Sequence, residues 1–124
     1  QYSNKKKISK SIEIVYGLRN FIGNANKFSK KTVYINLKSD SLITEIIIDD
    51  DGDGYPRDII SKIGEPYLKS NYSKYKSKEG LGLGLFIGKT LLEKNFATVN
   101  CRNSKTRSGA EIIIKWKNKD LFKI

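Results

Sequence analysis

The spacing of apolar residues predicts an amphipathic helix near the start of the chain. Over residues 11–28 the apolar side chains recur at intervals of three and four, which places them on one stripe of a helix. The members of that stripe are Ile14, Leu18, Phe21, Ala25 and Phe28. Lys30 and Lys31 follow, and their charges suit the negative end of the helix dipole.

A β-hairpin is predicted next. Residues 32–37 alternate between apolar and polar, and residues 42–49 form a second strand-like run after a Ser-Asp-Ser turn. Because side chains alternate across a strand, we expect Val33, Ile35 and Leu37 to face the core.

The second half of the chain predicts two helices and a closing pair of strands. A short helix starts at Pro56, since proline suits the first turn, and a longer apolar helix covers residues 83–94. Gly88 inside that helix indicates close packing against a neighbour. Residues 97–102 and 110–116 form the strand pair.

Two segments show no regular pattern. Residues 1–8 are polar and lysine-rich, which is typical of an irregular lead-in or a short edge strand. Residues 64–79 form a loop of a length usually found in functional lids or disordered regions. Its lysines could fold over a triphosphate or form a mobile surface, and the sequence leaves both readings open. They are Lys69, Lys74, Lys76 and Lys78.

The glycine-rich segment 80–89 is the strongest candidate for a binding site. Gly80, Gly82 and Gly84 alternate with leucines and lead directly into the longer helix. Glycines let a ligand approach the backbone, and a helix start directs N–H groups and positive potential at one spot, so the segment predicts an anion site, such as one for phosphate. The alternating leucines are expected to face the core. They are Leu81, Leu83 and Leu85.

Two familiar phosphate-binding motifs do not match this segment. A P-loop has four residues between its first glycine and Gly-Lys-Thr, and with Gly88 in that triplet the required position is occupied by Leu83. A dinucleotide fingerprint that uses Gly82 and Gly84 would need its third glycine at Ile87.

An acidic cluster follows the predicted hairpin. Asp49, Asp51 and Asp53 match the opening of an EF-hand calcium loop, but the twelfth position is Ile60 where Glu is needed, and a strand precedes the loop where a helix is needed. Calcium is therefore not favoured.

Asp50 offers a different chemistry at the same place. It lies at a strand end, and Gly52 and Gly54 open the backbone beside it. A carboxylate there can accept the amino group of adenine and would repel the carbonyl of guanine. A charge-assisted hydrogen bond of about 1.5–3 kcal/mol would favour ATP over GTP by tenfold or more.

A polar row lies beside the apolar stripe of the first helix. Asn20, Asn24 and Lys27 have the same helical spacing, about 110° around from that stripe. The row is either a binding flank or a solvated surface.

Composition excludes several functions. Lys and Arg number 24 against 13 Asp and Glu, but the excess is mostly dispersed lysine without clustered Arg or aromatics, so nucleic-acid binding is not favoured. The chain has no His, the commonest general base, and no Met, which suggests a piece of a longer protein. Its single cysteine, Cys101, excludes an internal disulfide and is expected to be a buried, unreactive thiol in a strand. No run of residues is long and apolar enough to span a membrane.

Three motifs in this order resemble the ATP-binding catalytic domain of bacterial sensor histidine kinases, in the superfamily shared with gyrase, Hsp90 and MutL. Residues 20–28 are similar to the family's N box, 50–54 to its first glycine box and 80–85 to its second. The likeness is greatest to the redox-responsive, RegB-type sensor kinases, although Tyr67 stands where their lid motif has Phe.

The resemblance implies a role for each matching residue. Asn24 would bind Mg²⁺, Lys27 a phosphate, and Asp50 the adenine amino group. The remaining nucleotide-binding positions would be Phe28, Gly52, Gly54, Tyr67, Gly80, Gly82, Leu83, Gly84 and Leu85. Asn20 stands where hydrolysing members have a catalytic Glu, and an amide cannot deprotonate water, which favours the kinase branch.

The resemblance also implies an architecture and partners. We expect one domain, residues 1–124, built as a two-layer α/β sandwich: a mixed, mostly antiparallel sheet of about five strands backed by about three helices. Residues 64–80 would be the ATP lid. ATP and Mg²⁺ would be the cofactors, and the partners would be a histidine phosphoacceptor and dimerisation domain and a response regulator. The parent protein would be a homodimer, with this domain in the cytoplasm.

Two alternatives remain. One is an ATPase or protein serine kinase of the same superfamily. The other is a degenerate nucleotide-sensing or interaction module without transfer activity.

Overall fold

The computed structural model describes residues 11–63 and 81–121. Residues 1–8, predicted as an irregular lead-in or a short edge strand, and the predicted lid at 64–80 lie outside the described residues. The elements in chain order are α1 (Ile12–Phe28), β1 (Val33–Ser39), β2 (Ile43–Asp50), α2 (Arg57–Ile60), α3 (Leu81–Lys94), β3 (Thr98–Asn103), β4 (Ala110–Lys117) and α4 (Asn118–Leu121).

Helix α1 forms where the apolar stripe predicted it. The Ser11 hydroxyl caps its N-terminus by accepting a hydrogen bond from the Ile14 N–H at 3.3 Å, and Glu13 places an acid in the first turn. Phe21 and Ala25 from the stripe are buried. Within the described residues no helix is both long and apolar enough to cross a bilayer.

The four described strands form one sheet in the order β1-β2-β4-β3, and every neighbouring pair is antiparallel. Both predicted strand pairs are therefore confirmed. In the register, Ile48 in the middle of β2 lies opposite Ile35 on one side and Ile112 on the other. Helices α1 and α3 cover one face, so the predicted α/β sandwich is confirmed.

Helices α1 and α3 approach each other closely at Gly88. A Cβ on Gly88 would lie only 2.6 Å from the Cε1 atom of Phe21, whose ring is fully buried. The predicted close packing at Gly88 is confirmed. This contact keeps the start of α3 beside α1, which matters for the site described below.

Two of the β1 side chains predicted to face the core are exposed. Ile35 is 55% exposed and Leu37 is 68% exposed. Both lie on the helix side of the sheet, but β1 is the outermost of the described strands at that edge, and α1 packs mainly on α3 and β2. Alternation places these side chains on the correct face, and no helix in the described part of the chain covers them there.

The sheet face opposite α1 and α3, which no described helix covers and which is called the helix-free face below, carries a charged row. Tyr34, Asp49, Glu111 and Arg102 are register neighbours across all four strands. The Arg102 Nε donates to Glu111 Oε1 at 2.5 Å. Arg107, from the turn before β4, lies over the Tyr34 ring at 3.6 Å, with its Nε 3.8 Å from Asp49 Oδ2.

Asp49 is the least satisfied member of this charged row. It is 5% exposed, and its Oδ1 atom is buried with no hydrogen-bond partner among the residues that the structure describes. Burial and the neighbouring Glu111 carboxyl raise the pKa of Asp49 to about 6. Burial acts on Glu111 as well, but the hydrogen bond from Arg102 keeps the pKa of Glu111 below its usual value. Asp49 is therefore the member that takes up a proton first.

We predict that the free energy of unfolding of Asp49→Asn increases relative to that of wild type as pH rises from 4 to 7. A raised folded-state pKa favours folding while the carboxyl is protonated, and that contribution is lost as pH rises through about 6. The neutral amide avoids the loss. The gain should be about 3 kcal/mol at most, from a pKa raised from 3.8 to about 6 at about 1.36 kcal/mol per unit.

Urea unfolding followed by Trp116 fluorescence at several pH values checks this prediction. Glu45→Gln is the control. Glu45 lies on β2 like Asp49, but its carboxylate is more exposed and pairs with Lys115 of β4 at 3.6 Å. A stability difference between Asp49→Asn and wild type that stays constant with pH would contradict the prediction.

Candidate functional site

The structure forms a mostly apolar cleft where the C-terminal half of α1 meets the C-terminal end of β2 and the N-terminal end of β4. Two polar side chains, those of Asn24 and Asp50, line it among apolar and backbone atoms. The full lining is Asn24, Ala25, Phe28, Ile48, Asp50, Gly54, Tyr55, Ala110 and Ile112. A concave, mostly apolar space with a few placed polar groups is typical of a small-molecule site.

Asp50 is buried at the base of the cleft. It is 3% exposed, and its Oδ1 accepts hydrogen bonds from the backbone N–H groups of Gly52 at 2.8 Å and Ala110 at 3.2 Å. Burial raises the pKa of Asp50, although these two bonds act in the opposite direction. Within the described residues its hydrogen bonds end at Oδ1, so Oδ2 is the atom that can accept from a ligand.

Asp51 has a structural role. Its carboxylate accepts hydrogen bonds from the backbone N–H groups of Lys30, Lys31 and Thr32 at 2.8 to 3.2 Å. These bonds, led by the one from Lys31, hold the pKa of Asp51 below its usual range. Asp51 thereby ties the loop after β2 to the end of α1 and is directed at backbone amides.

The backbone around Asp50 requires glycine at two positions, 52 because of a close contact and 54 because of its backbone angle. A Cβ on Gly52 would lie 2.2 Å from the carbonyl oxygen of Phe28. Gly54 has a φ of 80°, in the left-handed region that favours glycine. They let the loop pass directly over Phe28 and along the cleft, as their predicted role in shaping a base pocket requires.

The polar row on α1 separates into different environments. Asn24 lines the cleft. The Asn20 side-chain amide donates to the Tyr16 carbonyl oxygen at 2.8 Å, one turn back along the helix. Lys27 is exposed, with its Nζ 5.9 Å from the centre of the Phe28 ring. The structure therefore brings Asn24 to the cleft, and Asn20 and Lys27 lie outside the lining.

The glycine-rich segment forms the first turns of α3. The helix begins at Leu81, two residues before the predicted start, and so includes Gly82 and Gly84. A Cβ on Gly84 would lie 3.3 Å from Asn24 Oδ1, so the start of α3 lies against the cleft. Leu85 is fully buried as predicted.

The orientation predicted for Leu83 is wrong. This side chain is 52% exposed, because a helix turns about 100° per residue and cannot keep alternate residues on one face. Gly80 and Tyr67, two other predicted binding residues, lie outside the described residues.

The cleft suits a metal ion only if a ligand brings further donor atoms. The described residues contain no group of three or more His, Cys, Asp or Glu that could hold an ion. The amide oxygen of Asn24 is the type of hard donor that Mg²⁺ accepts, and Mg²⁺ commonly completes its shell with water and phosphate oxygens. The donor set therefore fits Mg²⁺ carried in with a phosphate ligand.

Cys101 lies on β3 as predicted, and its thiol is partly buried against the core. Burial raises its pKa to about 11, so the thiolate that reacts with electrophiles is scarce at neutral pH.

Sequence reasoning missed two contributions from β3 and β4. The Ala110 N–H binds Asp50, and the Asn103 side chain binds the backbone of Tyr55 through both of its polar atoms. Asn103 stands at a strand end before a turn, where asparagine is common, and this local pattern carried no sign of a partner 48 residues away.

Comparison with known proteins places this geometry in a family. Residues 9–120 match the family described as histidine kinase-, DNA gyrase B-, and HSP90-like ATPases. The chain is 42% identical over 97 residues to the sensor histidine kinase RegB of Cereibacter sphaeroides, an alignment that covers 74% of this chain and 21% of the relative. It is 31% identical over 99 residues to the sensor protein RstB of Escherichia coli, covering 80% and 23%.

A solved structure agrees with these relatives. The mycobacterial sensor histidine kinase MprB superposes with a TM-score of 0.74 at 26% identity, covering 89% of this chain and 75% of that one. The chain spans about a fifth of the length of the curated relatives it matches. The match over residues 9–120, the α/β sandwich and the cleft around Asp50 lead to one conclusion: the chain belongs to the histidine kinase-, DNA gyrase B- and HSP90-like ATPase family, as an ATP-binding domain of the histidine kinase type.

Proposed function

We propose that this chain is the MgATP-binding catalytic domain of a sensor histidine kinase in two-component signalling. It would supply the γ-phosphate of ATP to a histidine on a separate phosphoacceptor and dimerisation domain. The observation that carries the proposal is Asp50, a buried carboxylate at the base of an apolar cleft with Oδ1 bonded to backbone and Oδ2 available.

The purine end of the proposed site is built from Asp50 and the apolar lining. Oδ2 of Asp50 would accept the adenine amino group, while the ring would lie between Phe28 and Ile112 in the cleft. Guanine would present a carbonyl oxygen to the same carboxylate. Because Asp50 is 3% exposed, water screens that repulsion poorly, so adenine is the expected base.

The phosphate end lies where α3 begins beside Asn24. The first N–H groups of α3 have no partners within the helix and carry its positive dipole end, which suits the phosphates. Asn24 would hold Mg²⁺ through its amide oxygen. Bound there, Mg²⁺ would neutralise the charge of the phosphate oxygens. We assign further phosphate contacts to Lys27 on α1 and to the predicted lid at 64–80.

Transfer to histidine is favoured over hydrolysis by Asn20. Its carboxamide cannot remove a proton from water, and it donates to the Tyr16 carbonyl oxygen. Since the chain contains no His, the phosphoacceptor must lie on another part of the parent protein or on its dimer partner. A response regulator would then receive the phosphoryl group, and nucleic acid is not an expected partner.

We predict that Asp50→Asn weakens binding of ATP and ADP at least tenfold while leaving the unfolding midpoint of the nucleotide-free protein nearly unchanged. The amide oxygen of Asn can still accept from the Gly52 and Ala110 N–H groups. The amide nitrogen that replaces Oδ2 would meet the adenine amino group with a second donor. Because it can donate to a carbonyl, the preference for ATP over GTP should also narrow.

Calorimetric titration with a non-hydrolysable ATP analogue, ADP and GTP measures these changes. Asp53→Asn removes the same charge three residues further along, where the carboxylate pairs with Lys30 at 3.4 Å, and is the matched control. An unchanged affinity for the ATP analogue in Asp50→Asn would refute the assignment of the base pocket.

We predict that the 124-residue chain binds ATP but does not label itself with the γ-phosphate. Incubation with γ-³²P-ATP should give incorporation only when the phosphoacceptor domain of the parent protein is present, as acid-labile phosphohistidine. Direct labelling of the chain alone would contradict the proposal. Steady phosphate release by the chain alone, abolished by Asn20→Ala, would instead identify an ATPase, and ATP binding without any transfer would identify a sensing module.

A further inference from the structure

Asn103 grips the backbone of the loop that borders the proposed base pocket. From the end of β3, its Oδ1 accepts from the Tyr55 N–H at 2.6 Å and its Nδ2 donates to the Tyr55 carbonyl oxygen at 3.3 Å. A carboxamide that bonds both polar groups of one residue reproduces the pairing of a neighbouring strand. Tyr55 is 8% exposed and lines the cleft.

The same carboxamide lies directly against Gly54. A Cβ on Gly54 would lie 2.6 Å from Asn103 Oδ1, and Gly54 has its φ of 80° at this point. Gly54 also lines the cleft. Asn103 therefore holds two consecutive wall residues of the cleft, although its own side chain lies behind them.

The position of Asn103 in the sheet connects this wall to Asp50. Asn103 is the register partner of Ala110, whose N–H donates to Asp50 Oδ1 at 3.2 Å. One cross-strand pair thus contacts two parts of the cleft lining: the Ala110 N–H orients the Asp50 carboxylate, and the Asn103 side chain holds Gly54 and Tyr55.

We propose that Asn103 is a positioning residue for the purine, which sets the width of the base pocket by holding Gly54 and Tyr55 at a fixed distance from Asp50. The inference rests on the proposed function, since it assumes that the cleft binds the base of ATP. Asn103 need not touch the nucleotide. Its effect is to keep the pocket at the size in which adenine reaches the carboxylate without a rearrangement of the loop.

Asn103→Ala tests the proposal, with Asn100→Ala as the matched control. Asn100 is an exposed asparagine on the same strand, three residues earlier and on the helix-free face. Because the variant loses both hydrogen bonds that hold the pocket wall, we expect its affinity for nucleotide to fall on the order of tenfold. The loss should be equal for ADP and for a non-hydrolysable ATP analogue, because the phosphate end is untouched, and the ratio of ATP to GTP affinity should fall.

All titrations are made at a temperature well below the unfolding midpoints, so that every variant is folded. A purely structural role for Asn103 would lower the midpoint and leave the affinities and the ATP-to-GTP ratio unchanged, which would overturn the inference alone. Absence of nucleotide binding by wild type would overturn it together with the proposed function.

A second variant covers the case in which Asn103→Ala does not fold. Asn103→Asp keeps an acceptor for the Tyr55 N–H but replaces the donor to the Tyr55 carbonyl with a second oxygen. We expect it to bind ADP and the ATP analogue several-fold more weakly than wild type. Wild-type affinities in Asn103→Asp would overturn the proposal.

Discussion

The proposed site depends on a buried carboxylate that its own backbone satisfies only in part. Removing an ionised carboxyl group from water is costly unless hydrogen bonds replace the solvent. Asp50 is 3% exposed, and the N–H groups of Gly52 and Ala110 supply two such bonds, both to Oδ1. The two donors come from either side of the cleft, one from the loop after β2 and one from the start of β4. The two hydrogen bonds to Asp50 therefore connect the loop after β2 with β4 at the cleft.

This arrangement explains why residues remote in sequence converge on one loop. The loop after β2 is fixed to the end of α1 by Asp51, to Asp50 by the Gly52 N–H, and to the end of β3 by Asn103. Each tie engages a backbone N–H or carbonyl group, so together they fix the path of the chain. A path fixed at three points suits a pocket that must present a constant width to a flat ring.

The elements of the fold could be predicted from the sequence because their signals are local. The stripe on α1, the hairpin and the final strand pair follow from spacing alone, and each was placed to within about two residues. The predictions for Leu37 and Leu83 fail for different physical reasons. Alternation places Leu37 on the correct face of β1, but the pattern does not show whether another element covers that face, whereas Leu83 lies in a helix, where alternate residues do not share a face. Coverage is a tertiary property.

The site was predictable where chemistry follows a motif and was missed where it depends on pairing. The three motifs pointed to Asn24 and Asp50, which the structure places around one cleft. Asn103 and Ala110 carry no motif, because their roles arise from partners 48 and 60 residues away. Only the register of β3 with β4 brings them together.

The neighbouring aspartates on β2 show how one strand can serve two purposes. Alternation sends Asp49 to the helix-free face and Asp50 into the cleft, so two adjacent carboxylates are buried in unlike surroundings. Burial and the neighbouring Glu111 carboxyl raise the pKa of Asp49, with Arg107 acting in the opposite direction, whereas backbone N–H groups hold Oδ1 of Asp50. Glu111 follows Ala110 directly on β4, so the strand that places a carboxyl beside Asp49 also gives Asp50 its second donor. The same pair of strands, β2 and β4, therefore sets the protonation of Asp49 on the helix-free face and the geometry of the base pocket. A change in their register would alter both.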